Sequence, residues 1–280
     1  MIDKILISVA GLGKCEQMLQ MLMEIPSVQR ASVTILHVVP QQVTSDLMAE
    51  KLAAGGKILA EAVETLKLDP NKVTVKLEQG EPKDKVCQIA ESENADLIVM
   101  GSRGLSRLES ILSNSVSQYV FQLTDRPMLL VKDDAYIKKL NRVMVGYDNS
   151  KPAQESLKLA LFLLRDIKSS QLILVQVKGD QKAADAIDNP EKNPIFAPAI
   201  AEAKKMGVAY KCVVAVGNPG KELCQAADEL NADLLMLGSP DRRPSVAKSL
   251  PDLDRLLGSS ISDYVRVKAP CPVLLTRTAG

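Results

Sequence analysis

The sequence predicts two α/β domains in tandem, each a doubly wound, five-stranded parallel sheet with helices on both faces. The first observation behind this is an internal repeat. Gly80-Glu81-Pro82 through Asn94-Ala95-Asp96-Leu97-Ile98-Val99-Met100-Gly101-Ser102 aligns without gaps on Gly217-Asn218-Pro219 through Asn231-Ala232-Asp233-Leu234-Leu235-Met236-Leu237-Gly238-Ser239, and self-similarity at a fixed offset marks a duplicated unit. The second is alternation: short β-branched runs take turns with stretches of helical spacing, the pattern of a parallel sheet with right-handed crossovers. The third is length, since 280 residues exceed one typical domain and suit two of about 140. The domains are expected over 1–134 and 140–280, joined through the polar stretch 133–140.

In the first half, strands are expected over 4–10, 31–39, 72–78, 96–100 and 128–132. The long helix between the second and third covers Ser45–Leu66, with Leu47, Leu52, Leu59, Val63 and Leu66 near one face. Leu97-Ile98-Val99-Met100 is nearly continuous in apolar residues, as a strand covered on both faces must be. Gly80-x-Pro82 and Gly217-x-Pro219 each end a strand and put proline in the first helical turn, where its missing N–H costs nothing. Ser115-Val116-Ser117-Gln118-Tyr119-Val120 returns as Ser260-Ile261-Ser262-Asp263-Tyr264-Val265, and Arg126-Pro127 with its following strand returns as Ala269-Pro270 with residues 271–277. The second half is proline-broken over 188–198, so only a short helix is expected near 199–206.

Composition removes several classes of function. Lys and Arg total 35 against 34 Asp and Glu, which leaves no basic field for nucleic acid. Tryptophan is absent and aromatics make up 3%, so stacking platforms for bases are scarce. No apolar run approaches the roughly 20 residues of a membrane helix, and residues 1–9 read as a first strand rather than a signal peptide. The five cysteines (Cys15, Cys87, Cys212, Cys224, Cys271) form no CxxC pair, and there is one histidine. Zinc sites and His-dependent triads are thereby disfavoured, and a reducing, cytoplasmic setting is expected.

In an open parallel sheet, ligands bind beyond the carboxyl ends of the strands where strand order reverses. The loops after the first and fourth strands are the candidates. After the fourth comes Gly101-Ser102-Arg103-Gly104, nine further residues, then Asn114-Ser115 opening a helix. Glycines allow close backbone approach, and a helix N-terminus with a hydroxyl suits phosphate. The same residues also fit a plain strand-to-helix turn with Ser115 as N-cap. Gly11-Leu12-Gly13-Lys14-Cys15-Glu16 resembles parts of a dinucleotide fingerprint and of a P-loop, but has Glu16 at the third glycine and Cys15 at the magnesium-binding Ser/Thr; a simple turn is expected. His37 is expected as a packed or rim histidine. Cys87 and Cys224 are expected as small core residues.

The repeat and these loops resemble the universal stress protein family, twice over and across essentially the whole chain. Its nucleotide-binding members carry Gly, two residues, Gly, nine residues, Gly, then Ser or Thr. Here Gly101, Gly104, Asn114 and Ser115 keep that spacing, with asparagine for the third glycine; asparagine is the side chain that best tolerates left-handed backbone. The family acid after the first strand corresponds to Ala10 in the first half and Asp148 in the second. After the fourth strand of the second half Gly238 is kept, Asp241 replaces the second glycine, and Ser259, or Gly258 by a one-residue slip, holds the third glycine's place before Ser260.

The resemblance implies an adenine nucleotide alpha hydrolase-like fold and nucleotide contacts at Val38, Gly101, Arg103, Gly104, Asn114, Ser115 and Val116. In the second half it implies Asp148, Val177, Gly238, Ser259 and Ser260. It further implies a stress-response regulator binding ATP or AMP, with Mg2+ accompanying ATP, and with no catalysis or very slow hydrolysis. The partners implied are the nucleotide, the other half of the same chain and optionally a second chain, with neither nucleic acid nor membrane. The halves are expected to pack as an intramolecular pseudo-dimer through Met128–Lys132 and Val273–Arg277, favoured by an effective concentration of roughly mM across a short tether. The alternative is a degenerate, nucleotide-free scaffold acting through its surface, which the residues at Ala10, Asn114 and Asp241 favour. A hydrolase of the ATP-pyrophosphatase kind would need a Ser-Gly-Gly-x-Asp-Ser type loop, which neither Ser8-Val9-Ala10-Gly11 nor Gly146-Tyr147-Asp148-Asn149-Ser150 matches.

Overall fold

The structure, a computed structural model, describes residues 2–11, 13–102, 116–133, 135, 139–179, 189–239 and 260–277. The chain divides after residue 134 into two compact units. The first unit runs β1 (Lys4–Ser8), α1 (Lys14–Met23), β2 (Ser32–Val39), α2 (Ser45–Leu66), β3 (Val73–Gln79), α3 (Pro82–Ser92), β4 (Leu97–Ser102), α4 (Val116–Leu123) and β5 (Met128–Lys132). Its strands are all parallel in the order β3-β2-β1-β4-β5, so the order reverses between β1 and β4.

The second unit runs β6 (Arg142–Gly146), α5 (Lys151–Leu164), β7 (Gln171–Lys178), α6 (Ala197–Lys205), β8 (Ala209–Val216), α7 (Pro219–Glu229), β9 (Leu234–Ser239), α8 (Ile261–Lys268) and β10 (Val273–Arg277). Its order is β8-β7-β6-β9-β10, again all parallel, and reverses between β6 and β9.

The central strands form the core of each unit. Leu97, Ile98 and Val99 in one and Leu234, Leu235 and Met236 in the other are fully buried, each contributing about 1.5–3 kcal/mol of apolar transfer free energy. A polar clip recurs with the repeat. The Asp96 carboxylate accepts from the backbone N–H groups of Asp3 and Lys4, both at 2.9 Å, and Asp233 accepts from those of Asn141 and Arg142 at 2.9 and 2.7 Å. Each clip ties the start of the first strand to that of the fourth and satisfies donors at the sheet rim. Asn94 and Asn231, at φ 51° and 50°, let the chain leave α3 and α7 in a left-handed turn.

Two expectations about packing change. Helix α2 buries Gly55, Leu59, Ala62 and Leu66, while Leu47 and Val63 stay exposed; the buried stripe is narrower than the apolar pattern because it covers just the face that meets β2, β3 and α1. Strand β1 ends at Ser8, short of residue 10, since the chain must leave the ladder to enter α1.

Candidate functional site

The reversal of strand order places the end of β1 beside the end of β4, with Ser8 opposite Met100. Beyond them lie Ala10, exposed, and Gly101, also exposed. Among the described residues a Cβ added to Gly101 would meet the Cys15 sulfur, at 3.8 Å, an ordinary van der Waals separation. Neither a described neighbour nor a positive φ therefore demands glycine here. Helix α1 starts below this rim, where Gly13 N–H donates to Glu16 Oε2 at 3.2 Å as an N-terminal capping contact. Glu16 is almost fully buried beside the Cys15 thiol, and among the described residues its Oε1 accepts no well-formed hydrogen bond. Burial pushes its carboxyl pKa up because ionisation in a dry site is penalised.

The second unit presents the same strand ends differently. Gly146 lies opposite Leu237, and Gly238 follows. A Cβ at Gly238 would fall 2.2 Å from the backbone carbon and oxygen of Pro152 and 2.6 Å from Ala153 N. The first turn of α5 thus rests directly on Gly238. At the start of α8, Ser260 Oγ accepts from Asp263 N–H at 3.1 Å and donates to Asp263 Oδ2 at 2.8 Å. The buried Asp263 carboxylate also lies 3.9 Å from buried Arg266. Negative charge at a helix N-terminus is favourable, so this helix start already has an anion of its own. The aligned residue in α4 is Gln118, which carries no charge.

These two copies of one loop pair can be set beside known proteins. The sequence pattern of the universal stress protein family matches residues 1–132 and again 139–277. The chain belongs to the universal stress protein family. It is 28% identical over 148 residues to universal stress protein YxiE of Bacillus subtilis, covering 47% of this chain and 100% of that one. It is 28% identical over 139 residues to universal stress protein Sll1654 of Synechocystis, covering 48% and 83%. Among solved structures, a universal stress protein from Archaeoglobus fulgidus aligns over 99% of this chain and 96% of its own with a TM-score of 0.78 at 22% identity. At that identity the likeness concerns the fold.

Of the positions that the universal stress protein resemblance implicates, Val38 is buried near the end of β2, Gly101 is exposed at the β4 rim, and half-buried Val116 is the first residue of α4. Arg103, Gly104, Asn114, Ser115, Asp241 and Ser259 lie outside the described residues. Asp148 is exposed, with its Oδ1 accepting from Ser150 N–H at 3.0 Å. Val177 is half-buried in β7. Gly238 seats α5, and Ser260 caps α8 against Asp263.

His37 is half-buried at the end of β2, its Nδ1 2.8 Å from the Val9 carbonyl oxygen, a rim position engaged with backbone. Cys87 and Cys224 are half-buried rather than core residues, because α3 and α7 turn them toward the helix flank. Desolvation pushes the thiols of Cys15 and Cys87 up to about 12 and that of Cys212 to about 11, the reverse of nucleophile activation. Among the described residues no group of three His, Cys, Asp or Glu is placed to hold a metal ion, and no helix is long and apolar enough to cross a membrane. Sequence reasoning missed Glu16 and Asp263. Each stands three residues after an N-cap, Gly13 or Ser260, a spacing that marks helix starts.

Proposed function

We propose that the protein is a regulatory universal stress protein that binds one adenine nucleotide, ATP or AMP, in its first unit over the ends of β1 and β4, and works by binding rather than by chemistry. The observation carrying this reading is the exposure of Gly101, against which no described residue packs closely, beside the occupied counterpart at Gly238. The base would lie toward Val38 and the β1 loop. The phosphates would lie toward Arg103, Gly104, Asn114, Ser115 and Val116, at the start of a helix whose own first turn carries no acidic residue, Gln118 standing where α8 has Asp263. Any Mg2+ would arrive on the phosphates of ATP, a common way for this ion to be held. The second unit would be the nucleotide-free half: Asp263 repels phosphate from α8, whatever Asp148, Val177 and Ser259 contribute.

Thermal unfolding with AMP, ATP and ATP plus Mg2+ tests the reading. A nucleotide at about 100 times its dissociation constant should add about 2.7 kcal/mol. Gly104→Asp should remove that gain and Asp148→Ala should leave it. No shift at millimolar nucleotide would transfer the assignment to the scaffold reading, which the closed second unit favours.

A further inference from the structure

Strand β3 forms one edge of the first unit's sheet, and among the described residues its ladder partner is β2. It reads Val73-Thr74-Val75-Lys76-Leu77-Glu78-Gln79. Val75 and Leu77 are 47% and 38% exposed, and Val63 of the overlying α2 is 40% exposed. The corresponding edge strand of the second unit, β8, holds its large apolar residues Val213, Val214 and Val216 half-buried. A long edge with open apolar side chains is a template for adding another strand.

The polarity of the edge is also patterned. Successive side chains alternate faces, so Lys76 and Glu78 share the face opposite Val75 and Leu77. Each is lightly engaged with its own chain, Lys76 with Glu93 and Glu78 with Lys85, the latter at 3.2 Å. Gly80 N–H donates to Val39 O at 3.0 Å. Counting back along the parallel ladder from that bond, the even-numbered residues bond to β2. The N–H and C=O groups of Val75, Leu77 and Gln79 therefore face the open side.

We propose that this edge is a homodimer interface, in which β3 of one copy pairs antiparallel with β3 of a second about a two-fold axis at Leu77. A two-fold contact requires a surface complementary to itself, and this register supplies one. Leu77 meets its own copy and Val75 meets Gln79, forming pairs that exchange about six backbone hydrogen bonds in all. Lys76 then stands opposite Glu78 of the partner copy, twice, at the closer non-hydrogen-bonded spacing. A shift of the axis to Lys76 or to Glu78 would keep the outward backbone groups paired but set like charges face to face. Among these three registers the charge pattern thus favours the one centred on Leu77.

Mass measurement by light scattering across a concentration series, at low salt where surface charges are least screened, tests this. The wild-type chain should reach dimer mass. Lys76→Glu places like charges at both contacts and should weaken association about tenfold. The double exchange Lys76→Glu with Glu78→Lys should restore it, although it breaks both ion pairs within the chain; a merely structural role for these residues would make the double variant worse than the single. Val75→Lys, on an exposed apolar position, should also yield monomer with an unchanged circular dichroism spectrum. A monomeric wild type, a dimer indifferent to Lys76→Glu and Val75→Lys, or a double exchange that stays monomeric would each overturn the proposal.

Discussion

Gly101 and Gly238 occupy the same place in two copies of one sheet, at the carboxyl end of the fourth strand of each unit. In the first copy the nearest described atom to an added Cβ is a sulfur 3.8 Å away; in the second it would fall 2.2 Å from the backbone of Pro152. The helix starts that follow differ in the same sense, since Ser260 is tied to the Asp263 carboxylate where the first unit has Gln118. Duplication supplied two equal frames, and among the described residues the glycine is packed against backbone in one and exposed in the other. Identical residues at aligned positions therefore need not share a function.

The sharpest way to break this comparison is to substitute both glycines in parallel and follow unfolding by urea. Gly238→Ala forces a methyl group against backbone that cannot rotate away, and should cost about 3 kcal/mol or more. Gly101→Ala should stay within about 0.5 kcal/mol. Equal costs would mean that the two rims are packed alike.

A second test exchanges the helix starts. Gln118→Asp gives α4 the carboxylate of α8, and should abolish the expected gain of about 2.7 kcal/mol at saturating nucleotide. Persistence of that gain would mean that α4 does not face the phosphates. In the second unit, Ser260→Ala removes the cap and should cost about 1 kcal/mol without altering any nucleotide response.

The smallest effect concerns Glu16. Its carboxyl pKa is raised by burial, so the folded state holds a proton that the unfolded chain releases more readily. Its contribution is fully present below the ordinary glutamate value and is lost as pH rises through the raised one. Glu16→Gln, which keeps an acceptor for Gly13 N–H, should flatten that part of the stability–pH curve and stabilise the protein at neutral pH. An unchanged profile would show that Glu16 ionises freely within the fold.

Much of the architecture was legible in the sequence for local reasons. Met128–Lys132 and Ser45–Leu66 carry their strand and helix periods in their own residues, and the Asp96 and Asp233 clips travel inside the repeat. The extent of burial was less legible. Leu47 and Val63 fit the apolar stripe of α2, yet stay exposed because burial depends on what lies beneath a helix. Cys87 and Cys224 have apolar neighbours in sequence but sit on a flank.

The candidate site divides along the same line. By itself the sequence determined the duplication and the two strand-end rims at which a ligand could sit. These follow from the repeat and from the alternation of strand and helix, while the family was legible as a resemblance carried by the repeat and its loops. Tertiary structure decided which of the two glycines is packed against backbone. Whether a glycine faces solvent or the first turn of a helix, and whether a carboxylate three residues on swings back to its cap, depends on contacts between segments such as Pro152 and Gly238 that lie 86 positions apart. No local pattern of residues encodes such a distance, because it is fixed only once both segments are anchored to the same sheet.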